Sequence, residues 1–179
     1  MDYYSYTIED AEESCNYTFH SEVVEKLYSV DFDAYMYRDL LEHYPSLLSK
    51  GYALSFYSHS LANPPVKKKY DGMVSSTIIH IIKDYFQSQG PEVVLLYHCD
   101  HSDNRQECRH ILFEKWYQKG FLPELTKEGI EVEVPLEMEK KKYYLGYLTN
   151  RTNPNLESIK QEFGAFSYNM VSYGDNKNT

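Results

Sequence analysis

The residues of this 179-residue chain best equipped for chemistry are crowded into one run, His98-Cys99-Asp100-His101-Ser102-Asp103, with Arg105, Cys108, Arg109 and His110 close behind. Histidine, cysteine and aspartate are the ligands of zinc, but the spacing opposes a metal centre. On a strand His98 and Cys99 point to opposite faces, and on a helix Cys108 and His110, two apart, diverge. No metal is therefore expected, and the cysteines read as buried, apolar-face residues. A Cys-His nucleophile fails for a related reason, since a reactive thiolate needs an accessible, electropositive position. Arg105 and Arg109 are the stronger pair. One helical turn apart, at the carboxyl end of a strand and the positive end of a helix dipole, they are expected to hold an anion. The competing reading pairs them with Asp100 or with the acidic N-terminal residues. His20, His43, His59 and His80 have no convergent partners in the sequence and read as surface residues.

A second stretch able to do chemistry is Lys69-Tyr70-Asp71-Gly72-Met73-Val74, a basic residue and a glycine just before a long helical pattern. Backbone amides at such a helix start can cradle phosphate, although one glycine there is more often a plain turn.

A third candidate is a surface. The chain carries a formal charge of −9, and residues 1–45 account for all of it: 11 acids stand against only Lys26 and Arg38. The same segment holds eight tyrosines, Tyr3, Tyr4, Tyr6, Tyr17, Tyr28, Tyr35, Tyr37 and Tyr44. Acids with aromatic anchors are what an inhibitor, immunity or antitoxin-like protein presents to a basic partner. Glu9, Asp10, Glu12, Glu13, Tyr17 and Tyr28 are the expected contacts. An acidic solubilising edge is the equally open alternative. General nucleic-acid binding is not expected, because Lys and Arg cluster only at 67–69 and 140–142.

Forty-two per cent hydrophobic and 25% charged residues describe a globular chain. The start, MDYYSYTIEDAEES, lacks the basic and apolar regions of a signal peptide, and no stretch is apolar enough to span a bilayer. Three cysteines cannot form a disulfide framework, so a cytoplasmic location is expected.

These groups must be positioned by ordinary elements. Residues 17–32 alternate as an acidic hairpin or two edge strands, and 34–44 suggest a short helix stopped near Pro45. Gly51 opens a strand at Tyr52 to Tyr57. A helix follows from about Val74 to Gln89, with Val74, Ile78, Ile81, Ile82 and Tyr85 on one face and His80, Lys83, Asp84 and Gln87 on the other. The run VVLLY at 93–97 reads as a central strand buried on both faces. Asp103 is the expected N-cap, with Gln106 as its capping-box partner, of a helix that turns Cys108, Ile111, Leu112 and Trp116 inward. Glutamates alternating with Val132, Val134, Leu136 and Met138 mark a half-exposed strand, and Pro135 places it at an edge. The lysines at 140–142 turn the chain into a strand at Tyr143 to Leu148. Asn153 and Pro154 then start a last helix with Leu156, Ile159, Phe163, Phe166 and Met170 on one face. The expected division, within one domain, is an acidic, tyrosine-rich arm or hairpin at 1–50, an α+β core at 51–172 and a disordered tail at 173–179. The order from residue 52, strand-helix-strand-helix-strand-strand-helix, implies a mixed sheet with helices packed on it.

Two resemblances bear on these residues. The segments TIIHIIKDYF (77–86), VVLLYHCDHSDNRQECRHILFEKWY (93–117) and NRTNPNLESIKQEF (150–163) resemble an uncharacterised bacterial family of unknown function, across roughly 15–170; Asn104 stands where that family usually has glycine. The element order is also similar to the GCN5-related N-acyltransferase fold. Its pyrophosphate loop, (Arg/Gln)-x-x-Gly-x-(Gly/Ala), aligns with Lys69 to Val74, and its Tyr-Glu-Lys-x-Gly-Phe helix end with DNRQECRHILFEKWYQKGF (103–121). That resemblance implies acetyl-CoA or another acyl-CoA as cofactor, held by Lys69, Gly72 and Val74, with Tyr117 as general acid. The chain departs from the pattern: Val74 replaces a small residue, Asp71 puts a negative charge into the loop, and Phe113 occupies the usual tyrosine position. The expectation drawn from these departures is a binding protein without a cofactor on an acyltransferase-like scaffold, with an acyl-CoA-dependent N-acyltransferase as the alternative.

Overall fold

A computed structural model describes residues 2–64, 70–99, 103–121, 123–135 and 140–176. In chain order the elements are β1 (Tyr6–Ala11), β2 (Ser14–Ser21), β3 (Lys26–Asp33), α1 (Arg38–Leu41), α2 (Pro45–Leu48), β4 (Gly51–Ser60), α3 (Gly72–Gln89), β5 (Val94–His98), α4 (Gln106–Trp116), a π-helical turn (Tyr117–Phe121), β6 (Leu125–Pro135), β7 (Lys140–Asn150) and α5 (Leu156–Asn176). The seven strands form one sheet in the order β1-β2-β3-β4-β5-β7-β6, with β4 and β5 parallel and every other pair antiparallel. The fold is the expected α+β mixed sheet. VVLLY is its central strand, and Pro135 ends a strand that lies at an edge.

Residues 6–33 form three strands of this same sheet. The alternation that marks them also decides what they bury: Cys15, Tyr17 and Phe19 turn inward from β2, and Val30 and Phe32 are buried in β3. On that side, α3 and α4 close the core with Ile78, Ile81, Ile82, Tyr85, Phe113 and Trp116. Phe32 stacks on Tyr85 with ring centroids 3.8 Å apart. A second core lies on the opposite face, where α1, α2 and α5 pack Leu41, Leu47, Ile159, Phe163 and Phe166 against Val94, Leu96, Leu145 and Tyr147. It covers β5, β7, β6 and the start of β4. The β1–β4 part keeps that face open, as antiparallel sheets do: Glu9, His20, Tyr57 and His59 are all exposed on it.

β4 pairs with β3 along its whole length but with β5 only over Gly51–Ala53, so the two parallel strands diverge. Aromatic rings fill the wedge. Phe56 lies 5.3 Å from Trp116 and 6.5 Å from Phe113, and Tyr97 lies 4.2 Å from Phe113, centroid to centroid. α3 ends at Gly90, whose φ of +92° suits glycine and whose amide donates to Phe86 O at 3.0 Å.

The structure departs from the sequence expectations in five places. The helix expected at 34–44 is the single turn α1, and Pro45, expected to stop it, opens α2 instead. Asp103 does not cap α4; Arg105 is the N-cap residue and makes no side-chain cap. Cys108, Ile111 and Leu112 are exposed, and α4 instead buries Phe113 and Trp116. The lysines at 140–142 lie within β7. α5 continues to Asn176, past the expected limit at 172.

Candidate functional site

The start of α3, the first candidate seat for a phosphate, is occupied by the protein itself. Asp71 is the N-cap residue: its Oδ1 accepts from the Met73 amide at 3.0 Å. Its Oδ2 accepts from Tyr4 Oη at 2.9 Å and from Ser21 Oγ at the end of β2. The Tyr4 amide in turn donates to Thr77 Oγ1 at 2.9 Å, which fixes the N-terminal segment across the first turns of the helix. Burial, with the nearby Asp71 carboxylate assisting, raises the Tyr4 phenol pKa and keeps it a donor. A carboxylate thus already satisfies the positive end of the helix. Gly72 is not required by crowding, since a Cβ there would meet the Tyr70 ring at an ordinary 3.5 Å. Val74 packs against the core. Lys69 lies outside the described residues. The residues present do not fit a pyrophosphate: a second anion would sit against Asp71.

Tyr117, the expected general acid, is placed elsewhere. Its hydroxyl donates to Leu125 O at 3.3 Å and lies 3.5 Å from Arg151 Nη2, so it ties the π-helical turn to the start of β6. Two residues on, Lys119 Nζ reaches the hydroxyls of Ser75 and Ser76 at 3.4 and 3.5 Å, a link between this turn and α3.

At the β5–α4 junction the expected anion pair is claimed by an acid. Arg109 binds Asp103 through both terminal nitrogens, at 2.7 and 2.8 Å, and Arg105 Nε lies 4.0 Å from the same carboxylate. The Arg109 hydrogen bond, foremost, lowers the Asp103 pKa. Asn104, between them, has φ +57°, the left-handed region that glycine enters freely and asparagine tolerates. His98 and Cys99 do point to opposite faces. His98 is exposed, with Nδ1 2.8 Å from Tyr37 Oη, whereas Cys99 is buried and its thiol is pushed up to about 11 by burial, against the pull of Arg109 and Lys127. Such a thiol is no nucleophile at neutral pH. His110 stacks on Tyr144 at 4.7 Å. Among the described residues no three His, Cys, Asp or Glu side chains converge as a metal centre requires. Asp100, His101 and Ser102 lie outside those residues. A cavity of about 130 Å³ opens at this end of β5, lined by His98, Cys99, Tyr144, Leu145, Met170 and Val171 among others.

The acidic candidates divide by face. Tyr17 is 3% exposed, edge-on to Phe32 and Tyr6, and Tyr28 stacks on Phe19 at 5.0 Å, half-buried. Tyr17 belongs to the core and Tyr28 packs half-buried against it, because the period of two that makes these strands also turns their aromatic residues inward. Glu9, Asp10 and Glu12 remain exposed, and Glu13 pairs with Arg38 at 2.9 Å. The register brings Asp31 and Asp33 of β3 to the same end of the sheet.

Sequence reasoning missed the pair Lys127–Glu114. The nitrogen and oxygen are 2.6 Å apart, with the lysine side chain only 6% exposed, and this bond lowers the Glu114 pKa. It joins β6 to α4, and no pattern within either segment shows it.

Fold and site together describe an α+β protein whose helix-start and arginine anion seats are filled by its own carboxylates. Residues 70–165 match the model of a family of unknown function (DUF6169), and the chain belongs to that family. No curated protein and no solved structure matches the chain.

Proposed function

We propose that this protein is a non-catalytic binding protein, acting in the bacterial cytoplasm as an inhibitor, immunity or antitoxin-like factor, that takes a basic protein partner at the acidic end of its first three strands. One observation carries the reading. Glu9, Asp10 and Glu12 are exposed at the β1–β2 end of the sheet, beside Asp31 and Asp33, and no ion pair reaches Glu9, Asp10 or Glu12 among the described residues. Unneutralised carboxylates on a fixed sheet attract a cationic surface and speed its association. General nucleic-acid binding is disfavoured by the same charge.

The second reading, an acyl-CoA-dependent N-acyltransferase, is favoured by the divergence of β4 from β5 ahead of α3. Asp71 at the helix start and the committed hydroxyl of Tyr117 weigh against it.

A pulldown with the full chain compares wild type with the variant Glu9→Gln, Asp10→Asn, Glu12→Gln, Glu13→Gln. The expected result is a basic protein retained by wild type and lost by the variant. Retention of every partner by the variant overturns the reading, as does micromolar acetyl-CoA binding, seen calorimetrically and abolished by Gly72→Glu.

A further inference from the structure

The inference rests on the proposed function and concerns how the partner is held. β1 is an outer strand: β2 lies on one side, and among the described residues no strand pairs with the other. An outer strand presents a row of unpaired N–H and C=O groups, which folded proteins usually blunt with proline, charged side chains, a bulge or a covering element. Among the described residues β1 relies on charge alone, Glu9 and Asp10, which repels another acidic strand and leaves the edge open to a basic one. YTIEDA contains neither proline nor lysine, and it pairs residue for residue with β2 from Tyr6↔Phe19 to Ala11↔Ser14. Five of its six residues are exposed, including Ile8 at 50%.

The opposite edge of the sheet is different. β6 ends in Pro135, and its charges are matched by neighbours: Lys127 by Glu114, Glu131 by Lys142, and Glu128 by Lys160. On β1, no ion pair reaches the charges of either face among the described residues. Glu9 shares the open face with Asn16 and Asp31, and Asp10 shares the helix-bearing face with Cys15. On that second face Asp84 of α3 lies against β1, accepting from Tyr6 Oη at 3.4 Å. A strand laid along β1 would therefore meet carboxylates above and below, with Ile8 as an apolar seat between them. A second copy of β1 is excluded by the same charges, because antiparallel self-pairing would bring Glu9 and Asp10 of both chains together.

We propose that β1 is a docking edge to which an extended segment of the partner protein adds as a further strand, carrying lysine or arginine on both faces. Backbone hydrogen bonds hold such a strand, and the alternate carboxylates select it.

The test titrates the isotope-labelled full chain with a capped synthetic peptide, Lys-Val-Lys-Lys-Thr-Lys-Val, and with the same peptide N-methylated at alternate residues, which keeps the charge and removes one hydrogen-bonding edge. The expected result is that amides of Thr7 to Asp10 shift and exchange more slowly with the first peptide. N-methylation should weaken binding about tenfold or more, and Glu9→Gln with Asp10→Asn about tenfold at low salt. Equal affinity for both peptides, still dependent on Glu9 and Asp10, overturns strand addition and leaves the proposed function standing. Binding indifferent to those acids, or absent at millimolar peptide, overturns both. Shifts confined to Leu125–Pro135 would place the docking edge on β6 and overturn the assignment to β1.

Discussion

Tyr4 and Asp71, 67 positions apart in the chain, are joined by a 2.9 Å hydrogen bond from the phenol to the carboxylate that caps α3. The bond closes the N-terminal segment over the helix start at which the acyltransferase resemblance would seat a pyrophosphate. It also makes the fold of residues 2–21 and the chemistry of residues 71–74 a single question, since Ser21 donates to the same oxygen.

Removing that carboxylate should cost stability in proportion to the partners it leaves. Asp71→Ala removes the cap from Met73 N and strands a fully buried Ser21 hydroxyl and the Tyr4 phenol. The expected loss is about 2–3 kcal/mol by chemical denaturation, against about 1 kcal/mol for Tyr4→Phe, which leaves the cap intact. Equal losses for the two variants would show that capping contributes nothing.

A second relationship concerns Tyr97 and Gly146, cross-strand partners on β5 and β7. A Cβ at Gly146 would lie 2.2 Å from Tyr97 Oη, so the tyrosine ring lies directly over the glycine. Gly146→Ala should destabilise by about 2–3 kcal/mol through overpacking. Adding Tyr97→Leu should recover part of that loss, because the two changes share one clash. Tyr97→Phe alone removes a buried hydroxyl that has no hydrogen-bond partner among the described residues, so thermal denaturation should show stability unchanged or higher.

How far the sequence reveals this structure follows from the range of the interactions. α3 and the central strand are readable because a helical stripe and an apolar run are local signals, and both stand where the pattern places them. α4 is misread because Ile111 and Leu112 are apolar yet exposed, while the face toward the sheet carries His110, stacked on Tyr144, and Glu114, bound to Lys127. α2 is missed for a similar reason: its first amides, Ser46 N and Leu47 N, are capped by Glu162 of α5 more than a hundred residues away. The two anion seats are read incompletely by the same route. Asp71 and Asp103 are visible as acids in the sequence, but only folding shows that each occupies the anion seat beside it.

The three thiols should separate cleanly by reactivity. Cys108 is exposed, whereas Cys15 and Cys99 are buried, with their thiol pKa values raised chiefly by that burial. At about pH 8 a thiol reagent should modify Cys108 rapidly and the other two only at the rate of unfolding. Peptide mapping by mass spectrometry checks the order, and early modification of Cys99 would contradict the burial of that thiol at the end of β5.

Alkaline pH should weaken the fold through its buried phenols. Tyr37, Tyr85 and Tyr97 are each less than a tenth exposed, and burial, foremost, raises the pKa of each well above the ordinary 10.0. As pH rises past that ordinary value the unfolded chain releases these protons while the folded chain keeps them. The unfolded state then binds fewer protons, so stability falls with pH. The contribution is fully present below about pH 10 and is lost above it, by about 1.4 kcal/mol for each pH unit and each such phenol. Urea denaturation from about pH 8 to about pH 11 should show a flat region followed by a steep decline. Tyr85→Phe, which removes one titrating phenol while keeping a ring for Phe32 to stack on, should make that decline shallower. An unchanged slope would mean that Tyr85 titrates alike in both states and is not shielded as its burial between α3 and the sheet requires.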